Sequence, residues 1–355
     1  MKILYAIQGT GNGHLSRATE IVPVLKDFAE VDVLISGIQG DLKLPFEIEY
    51  QFYGLSFIFG RNGGIDLLRT ILKLRPLQFI ADIIRLPVRK YDIILCDFEP
   101  VTAWACQLKG KDCIGIGHQN AVLHPEAPKP LKKDPAGIAI LRYYAPVTAK
   151  YGFHFQSYDE RSFTPVIRMA IRDAVPANSG HYTVYLPAYS DDEIHSALSV
   201  FTDVRWEVFS KHSARPYRKG NIEFRPVSLE NFTNSFTSSE GVLCTAGFET
   251  PAEALFMGKK LAVIPMKNQY EQSCNAALLA EMGVTVIPRL RGQRHQLQQW
   301  LSEDFAVRIN YPDQTRSILE LIISKEEKKP LKTRSFLRPV LFSKSDLDHQ
   351  LFHRF

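Results

Sequence analysis

A glycine-rich segment near the amino terminus, GTGNGHLSRATE, carries a histidine at the start of a helical pattern. Such a segment either cradles a nucleotide phosphate or presents His14 to a substrate. The dinucleotide-binding pattern G-x-G-x-x-G requires its third glycine at position 14 or 16, where this sequence has His14 and Ser16. The second predicted strand also ends in Ser36-Gly37 and not in the acid that would bind an adenosine ribose. The spacing therefore excludes a nicotinamide oxidoreductase of this type and favours a chemical role for His14.

A histidine in this position suits a general base, because its unperturbed pKa lies close to working pH. Such a base is better oriented when its other ring nitrogen meets a carboxylate. Asp97, at the end of the predicted strand YDIILC, has the right sheet position, and Glu99 is the alternative. The competing interpretation is that His14 caps or packs a helix, and that Asp97 is the N-cap of a helix predicted over 100–109.

A second glycine turn lies in the segment CTAGFETPAEALFMGKKLAVIP. The strand 241–245 is predicted to stop at Ala246-Gly247, before a helix that begins at Thr250. Thr250 as N-cap, Pro251 as the first helical residue and Glu253 three residues after the cap form a capping box. Such a helix start favours an anion, and a diphosphate is the obvious candidate. The alternative is an ordinary strand–turn–helix connection, in which Glu253 folds back onto the backbone instead of binding a ribose.

The next predicted helix brings further polar groups to the same edge of the sheet. The segment NQYEQSCNAA places Glu271, Gln272 and Asn275 at the beginning of that helix, where a hydroxyl-rich ligand would meet them. No DxD-like pair lies in a loop suited to hold a metal on a diphosphate. We therefore expect no cofactor and no metal. The helix dipole at Thr250 would stabilise the negative charge of the diphosphate instead.

The elements that must position these residues alternate between short apolar strands and helices in both halves of the chain. This pattern predicts an α/β protein of two doubly wound, parallel-sheet (Rossmann-like) domains facing across a cleft, with the ligand in that cleft. The predicted division has four parts: a first domain over 1–148, a second domain over 149–310, a terminal helix over 311–324 that packs back towards the first domain, and a basic tail over 325–355.

The pattern T-A-G-F-E-T-x-x-E-A-L-x-x-G-K-x-L-x-x-I-P, followed by E-Q-x-x-N-A, resembles the donor-binding region of GT-B-fold glycosyltransferases. The closest likeness is to the family of the peptidoglycan N-acetylglucosaminyltransferase MurG and the UDP-glycosyltransferases. The resemblance implies a GT-B fold, a UDP-sugar as co-substrate and inversion at the anomeric carbon. It also implies donor-binding roles for nine residues: Thr245, Ala246, Gly247, Phe248, Thr250, Glu253, Glu271, Gln272 and Asn275.

The same resemblance assigns the opening segment, and the polar turn GHQNAV after the fifth strand, to the acceptor. The acceptor-binding residues that it implies are Gly11, Asn12, Gly13, His118, Gln119 and Asn120. His118 stands where the family has a glutamate, a departure that concerns the acceptor and not the reaction class. The implied reaction moves a hexose or N-acetylhexosamine from a UDP-sugar to a hydroxyl acceptor, including a lipid-linked or cell-envelope glycan. The alternatives are a GT-B-fold UDP-sugar 2-epimerase or hydrolase and a non-catalytic sugar-nucleotide-binding protein.

The composition of the chain limits the kinds of partner that it is expected to bind. The net charge of +5 over 355 residues is small, and basic residues are not concentrated beside aromatics as in a nucleic-acid-binding protein. The segment 67–90 combines six basic residues and one acid with many Leu and Ile, which predicts either a packed helix pair or a contact with an anionic membrane surface. Five cysteines without a CxxC pair, and no signal-peptide or membrane-spanning pattern, indicate a cytoplasmic protein, peripheral on the membrane if the second interpretation holds.

Overall fold

The computed structural model describes residues 1–38, 40 and 42–327, so most of the predicted basic tail lies outside the described residues. The first domain is built on a six-stranded parallel sheet with the order β3-β2-β1-β4-β5-β6. Its elements are β1 (Lys2–Gln8), α1 (Gly13–Lys26), β2 (Glu30–Ser36), β3 (Tyr50–Phe52), α2 (Leu67–Leu72), α3 (Pro76–Arg85), a 3₁₀ turn (Val88–Lys90), β4 (Ile93–Asp97), α4 (Pro100–Lys109), β5 (Ile114–Gly115), α5 (His118–Val122), α6 (Pro135–Tyr143) and β6 (Ala149–Lys150).

The second domain carries a seven-stranded sheet with the order β11-β12-β10-β9-β13-β14-β15, parallel except for β11. A two-stranded sheet of β7 and β8 precedes it. The elements are β7 (Gly152–Phe153), β8 (Ser162–Phe163), α7 (Met169–Arg172), β9 (His181–Tyr185), α8 (Asp191–Leu198), β10 (Arg205–Ser210), β11 (Tyr217–Lys219), β12 (Ile222–Pro226), α9 (Leu229–Ser238), β13 (Gly241–Thr245), α10 (Glu249–Met257), β14 (Lys260–Ile264), α11 (Tyr270–Glu281), β15 (Thr285–Val286), α12 (Arg294–Ser302) and α13 (Thr315–Glu327).

The order of strands explains where a ligand can bind. In the first sheet β1 lies between β2 and β4, and in the second β9 lies between β10 and β13, so each sheet changes winding direction at its centre. Ligands of open α/β sheets bind in the crevice at the carboxyl ends of the strands beside such a switch point. The segments after β1 and β4 therefore meet at one crevice, and those after β9 and β13 at another.

Continuous apolar strands give these sheets their stability. The side chains of Ile3, Leu4, Tyr5, Ala6 and Ile7 are all fully buried, as expected for a parallel strand covered on both faces. The predicted architecture of two doubly wound α/β domains is confirmed.

Several element boundaries differ from the prediction. The segment 67–90 contains the helix pair named above, α2 and α3, because Pro76 begins a new helix. Helix α1, in contrast, is a single segment that continues through Pro23. The helices α9 and α12 were not predicted, although Leu229, Phe232 and Phe236 of α9, like Leu297, Trp300 and Leu301 of α12, recur at the spacing of an amphipathic helix.

The chain returns to the first domain at its end. Strand β6 lies just after the predicted boundary at 148 and pairs with β5 of the first sheet. Helix α13 covers 315–327 instead of the predicted 311–324; it packs against α1, and Arg316 forms an ion pair with Asp27 beside that helix. No helix among the described residues is long and apolar enough to span a bilayer.

Candidate active site

A hollow of about 780 Å³ lies in the cleft, lined by both domains. The first domain contributes the glycine segment with His14 and Arg17, and the second contributes the turn before α10 and the start of α11. Its lining residues are Thr10, Gly11, Asn12, Gly13, His14, Arg17, Phe59, His118, Gln119, Tyr185, Pro187, Thr245, Gly247, Phe248, Glu249, Thr250, Pro251, Met266, Gln269, Glu271 and Gln272.

His14 and Asp97 form a hydrogen-bonded pair at the edge of this hollow. His14 is the second residue of α1, and Asp97 is the last residue of β4, so the neighbouring strands β1 and β4 bring them together. The distance from His14 Nδ1 to Asp97 Oδ1 is 2.8 Å. Asp97 is fully buried, while 14% of the His14 side chain is exposed. When Nδ1–H donates to Asp97, the Nε2 atom is left as a proton acceptor.

Arg17 is a buried cation one helical turn beyond His14, and the sequence analysis did not single it out. Its Nη2 atom lies 2.7 Å from Asp97 Oδ1 and 2.8 Å from Oδ2, and its Nε atom lies 3.1 Å from Oδ2. Burial alone would raise the pKa of Asp97, but the Arg17 guanidinium and His14 outweigh it and lower that pKa to about 2. Asp97 is therefore held as a carboxylate. The i, i+3 spacing of His14 and Arg17 was the signal that could have found this residue.

The other end of the Arg17 guanidinium reaches the second domain. Its Nη1 atom donates to Glu249 Oε1, the carboxylate of the first residue of α10. Burial raises the pKa of Glu249 to about 7, although the Arg17 charge acts in the opposite direction. One buried cation thus joins a carboxylate from each domain across the cleft.

Glu99 does not support His14. Its Oε1 atom accepts from Val101 N and its Oε2 atom from Thr102 N, both at 2.7 Å, so Glu99 and not Asp97 is the N-cap of α4. Phe98 between the two acids adopts a left-handed backbone with φ of 57°. That conformation is uncommon for a residue other than glycine and is often found at functional sites.

The capping box predicted at Thr250 is wrong. Helix α10 begins two residues earlier, with Glu249 as its first residue, and its N-cap is Phe248 without a side-chain cap bond. Glu253 does not fold back onto the helix start, because Arg168 binds both of its carboxylate oxygens, at 2.6 and 2.8 Å. The buried ion pair replaces the expected contact with the backbone.

The predicted donor residues divide into those that face the hollow and those that support it. Thr245, Gly247, Phe248, Thr250, Glu271 and Gln272 line the hollow. Ala246 and Asn275 are fully buried behind it, and Asn275 Nδ2 donates to Ala246 O at 3.1 Å. Glu271 accepts from Gln119 Nε2 at 2.9 Å, and Gln272 Oε1 accepts from the backbone N–H of Met266 at 2.9 Å.

The predicted acceptor residues divide in the same way. Gly11, Asn12, Gly13, His118 and Gln119 line the hollow, whereas Asn120 is absent from its lining and donates to Tyr151 O at 3.0 Å. His118 is 1% exposed; its ring lies flat on that of Phe248, with centroids 4.1 Å apart. Its Nε2 atom lies 2.9 Å from Asn275 Oδ1, and burial lowers its pKa. His118 therefore contributes mainly to the contact between the two domains, and little of its side chain is accessible to a ligand.

The sequence profile described as glycosyl transferase family 1 matches residues 1–303 of the chain. This chain is a member of glycosyl transferase family 1. Its fold is similar to that of MurG from Acinetobacter baumannii, with a TM-score of 0.54 and 15% identity over 91% of this chain and 99% of that one. Arabidopsis thaliana UGT89C1, solved with UDP, gives a TM-score of 0.56 and 12% identity over 98% of both chains.

A third solved structure with this fold is UGT2 of Phytolacca americana in complex with UDP-2-fluoro-glucose and pterostilbene. It matches with a TM-score of 0.53 and 13% identity over 91% of this chain and 98% of its own. No curated protein matches the chain. The GT-B fold is thereby confirmed, and the protein is a glycosyltransferase.

Two further hollows adjoin the first in this glycosyltransferase. One of about 470 Å³ lies on the side of Arg168 and Glu253 and is also lined by Tyr185, Ser228 and Leu229. The other, of about 760 Å³, shares His14 and Gln119 with the first hollow and is lined largely by apolar side chains: Phe57, Phe59, Ile65, Phe98, Ile140, Leu141 and Tyr270. The cleft therefore extends to both sides of the first hollow, towards Arg168 and Glu253 on one side and from His14 along the apolar side chains on the other.

Three glutamines on the apolar side have unpaired oxygens. Gln8, Gln119 and Gln269 line that hollow, and the amide oxygen of each is buried without a hydrogen-bond partner among the described residues. Buried polar atoms without partners are rare, and each one calls for an explanation. A hydroxyl-bearing substrate of the glycosyltransferase would supply the missing donors.

Within the described part of the chain, no group of three or more His, Cys, Asp and Glu side chains is arranged to hold a metal ion.

Proposed function

We propose that this glycosyltransferase moves a hexose or N-acetylhexosamine from a UDP-sugar to a hydroxyl acceptor, with inversion and without a metal. The observation that carries the proposal is the His14–Asp97 pair, which stands in the same hollow as the turn before α10. A base and an anion-binding helix start at one cavity are the two groups that sugar transfer needs.

His14 supplies the base in this mechanism. Asp97 fixes the tautomer with Nδ1 protonated and stabilises the imidazolium that forms, because Arg17 holds Asp97 ionised. Nε2 removes the proton from the acceptor hydroxyl while the hydroxyl oxygen attacks the anomeric carbon of the donor sugar from the face opposite UDP. The bond from that carbon to the diphosphate oxygen breaks at the same time, and UDP leaves with the electron pair. Attack opposite the leaving group inverts the anomeric configuration.

The start of α10 stabilises the diphosphate. Gly247 leaves the approach to the helix free of a side chain, and a Cβ placed there would have only the Thr245 hydroxyl within 4 Å. The free N–H groups and dipole of the helix favour the negative charge that develops on UDP. The hollow beside Glu253 has room for the nucleoside, and two of the solved structures with this fold hold UDP or a UDP-sugar.

The apolar hollow supports an acceptor that carries a lipid, as in a lipid-linked or cell-envelope glycan. It begins at His14 and is lined by Phe57, Phe98 and Ile140, side chains that a polar sugar alone would not match. The segment 67–90 adds a second apolar surface, since Leu72 and Leu77 on α2 and α3 are 73% and 82% exposed. Basic residues on the same helices suit contact with the inner face of an anionic membrane.

The test is turnover of UDP-sugars with and without a lipid extract that contains candidate acceptors. UDP released only with acceptor supports transfer. Release of free sugar without acceptor would replace transfer by hydrolysis, and an epimerised donor would identify an epimerase. Activity that persists in EDTA is expected, whereas activity restored only by a divalent cation would refute the metal-independent step.

His14→Ala is the decisive variant, because it removes the base and leaves the donor site intact. We expect loss of transfer with UDP affinity nearly unchanged, measured by turnover and by thermal shift with UDP. Asn120→Ala is the matched control, since Asn120 is close in sequence to the site but outside the hollow. Retained turnover in His14→Ala would remove His14 as the base.

A further inference from the structure

Residues 59–66 form a strap that crosses from the first domain to the second. Gly63 N donates to Ala188 O at 2.8 Å, and Lys267 N donates to Gly63 O at 2.8 Å. Ile65 N donates to Lys267 O at 3.1 Å, and Ser190 N donates to Arg61 O at 2.9 Å. The strap therefore pairs with the second domain through four backbone hydrogen bonds, and its Phe59 ring also lies 5.3 Å from Lys211 Nζ.

Two glycines permit this close pairing. A Cβ on Gly63 would lie 2.3 Å from the Tyr189 hydroxyl, and Gly63 also has a positive φ of 83°. A Cβ on Gly64 would lie 2.7 Å from Lys267 O. Since no larger residue fits at either position without displacement of the backbone, the strap is fixed against the second domain and is not a loosely packed loop.

A polar hollow of about 710 Å³ lies beside the strap. Its lining is Gly60, Arg61, Asn62, Gly64, Ile65, Asp66, Arg69, Lys267 and Asn268. This set contains three cations and one carboxylate, and the carboxylate is used, because Asp66 Oδ2 lies 3.4 Å from Arg69 Nε. Among the described residues Arg61 and Lys267 have no ion-pair partner. We call this set the strap cavity.

The strap cavity adjoins the exposed apolar side chains of helices α2 and α3. Helix α2 starts at the residue after Asp66, and Arg69 belongs to both the cavity and the helix. Six apolar side chains on α2 and α3 are more than half exposed: Leu68, Ile71, Leu72, Leu77, Ile80 and Ile84. Lys73, Arg75 and Arg85 lie among them. Apolar side chains with cations at their border match the acyl and phosphate layers of an anionic membrane.

We propose that the strap cavity binds the phosphate of an anionic phospholipid whose acyl chains lie against α2 and α3. This inference rests on the membrane contact proposed above and extends it to the second domain. Arg61 and Arg69 belong to the first domain and Lys267 to the second. A single bound phosphate therefore contacts both domains and holds them at the same membrane surface. The inner side of the strap, through Phe59 and Ile65, lines the apolar hollow next to His14, so the bound lipid also holds the strap over the site.

Lys267→Gln in the full chain tests the inference, because contact through the α2 and α3 helices alone does not involve Lys267. The backbone bonds of the strap are kept by any residue at this position. The measurement is co-sedimentation with vesicles of phosphatidylcholine alone and of phosphatidylcholine with phosphatidylglycerol. We expect wild-type protein to bind the anionic vesicles and Lys267→Gln to bind them about fivefold more weakly, since one cation at a membrane surface contributes about 1 kcal/mol.

Arg215→Gln is the matched control: it removes one exposed cation of the second domain away from the cavity and should bind as wild type. Equal binding by Lys267→Gln and wild type would overturn the proposal, as would a wild type that ignores anionic vesicles. A dimer that buries α2 and α3 without vesicle binding would assign the face to a second copy. A melting temperature raised by inorganic phosphate, again without vesicle binding, would assign the cavity to a soluble phosphate.

Release of UDP in the presence of a water-soluble acceptor, measured on the same preparations, separates this inference from the proposed reaction. A wild type that releases UDP but does not bind anionic vesicles leaves the reaction standing and removes the lipid site. A wild type that binds the vesicles but releases no UDP keeps the lipid site and refutes the proposed reaction.

Discussion

Arg17→Met is expected to destabilise the protein strongly near neutral pH and weakly in mild acid. The substitution keeps most of the side-chain volume but leaves the carboxylates of Asp97 and Glu249 buried without their shared cation. The pKa of Asp97, lowered from 3.8 to about 2, corresponds to about 2 kcal/mol of stability that this environment provides at neutral pH. Removal of one partner from a buried ion pair typically costs about 3–5 kcal/mol, and we expect a loss in that range.

The pH dependence follows from the sign of each shift. In the wild type, the contribution of Asp97 is present above its unfolded pKa and is lost as pH falls through about 2. Without Arg17, burial raises the pKa of both carboxyl groups, so they take up protons as the pH falls from neutral. The deficit of Arg17→Met should therefore shrink between about pH 8 and about pH 5.

Urea unfolding followed by tryptophan fluorescence at both pH values measures the deficit. Arg172→Met is the matched control, because Arg172 is a partly buried arginine that donates to the carbonyl oxygens of Ile167 and Tyr311 instead of binding a carboxylate. Its deficit should be the same at both pH values. A deficit for Arg17→Met below about 1 kcal/mol, or one that does not change with pH, would refute the role of Arg17 as the shared counter-charge.

Three other predictions concern single buried groups. Glu249→Gln should remove a loss of stability that the wild type shows as pH rises from about 4.5 to about 7, because burial raises the pKa of Glu249 to about 7; melting temperatures across that window measure it, and parallel curves would contradict it. Glu253→Ala should cost about 3–5 kcal/mol, well above the roughly 1 kcal/mol of a helix cap, since Arg168 loses its buried partner. Urea unfolding measures that cost, and UDP affinity should fall with it; a loss near 1 kcal/mol would return Glu253 to a capping role. Lys259→Met should cost about 1–3 kcal/mol and leave transfer unchanged, because the ammonium of Lys259 donates to the carbonyl oxygens of Ala177, Thr237 and Ser239 far from the cleft. Altered kinetics in that variant would indicate a coupling to the site that its contacts do not explain.

The sequence was most informative where apolar periodicity and strand order act together. The strands around Ile3–Ile7 and Val242–Cys244 are apolar throughout, so their burial and parallel pairing could be predicted. Because strand ends at a switch point must meet, the approach of His14 to Asp97 followed from the same pattern.

The long-range ion pairs could not be predicted in this way. Arg168 binds Glu253 across a separation of 85 residues, and no local pattern in the sequence distinguishes that pairing from the capping box that Thr250 and Glu253 spell. Arg17 was not predicted to be buried, because one of its two ion pairs is formed with Glu249 of the second domain. Long-range ion pairs of this kind depend on the packing of whole domains.

The left-handed backbone of Phe98 gives the carboxylates of Asp97 and Glu99 different partners. In a regular strand, residues two apart project to the same face, so Asp97 and Glu99 would compete for the same partners. The turn at Phe98 places the first carboxylate beside His14 and the second at a helix terminus. Which of the two acids pairs with His14 is thus set by a backbone torsion between them and not by their chemistry. A β-branched residue at position 98, which disfavours this torsion, would blur the distinction even though both carboxylates remained in the chain.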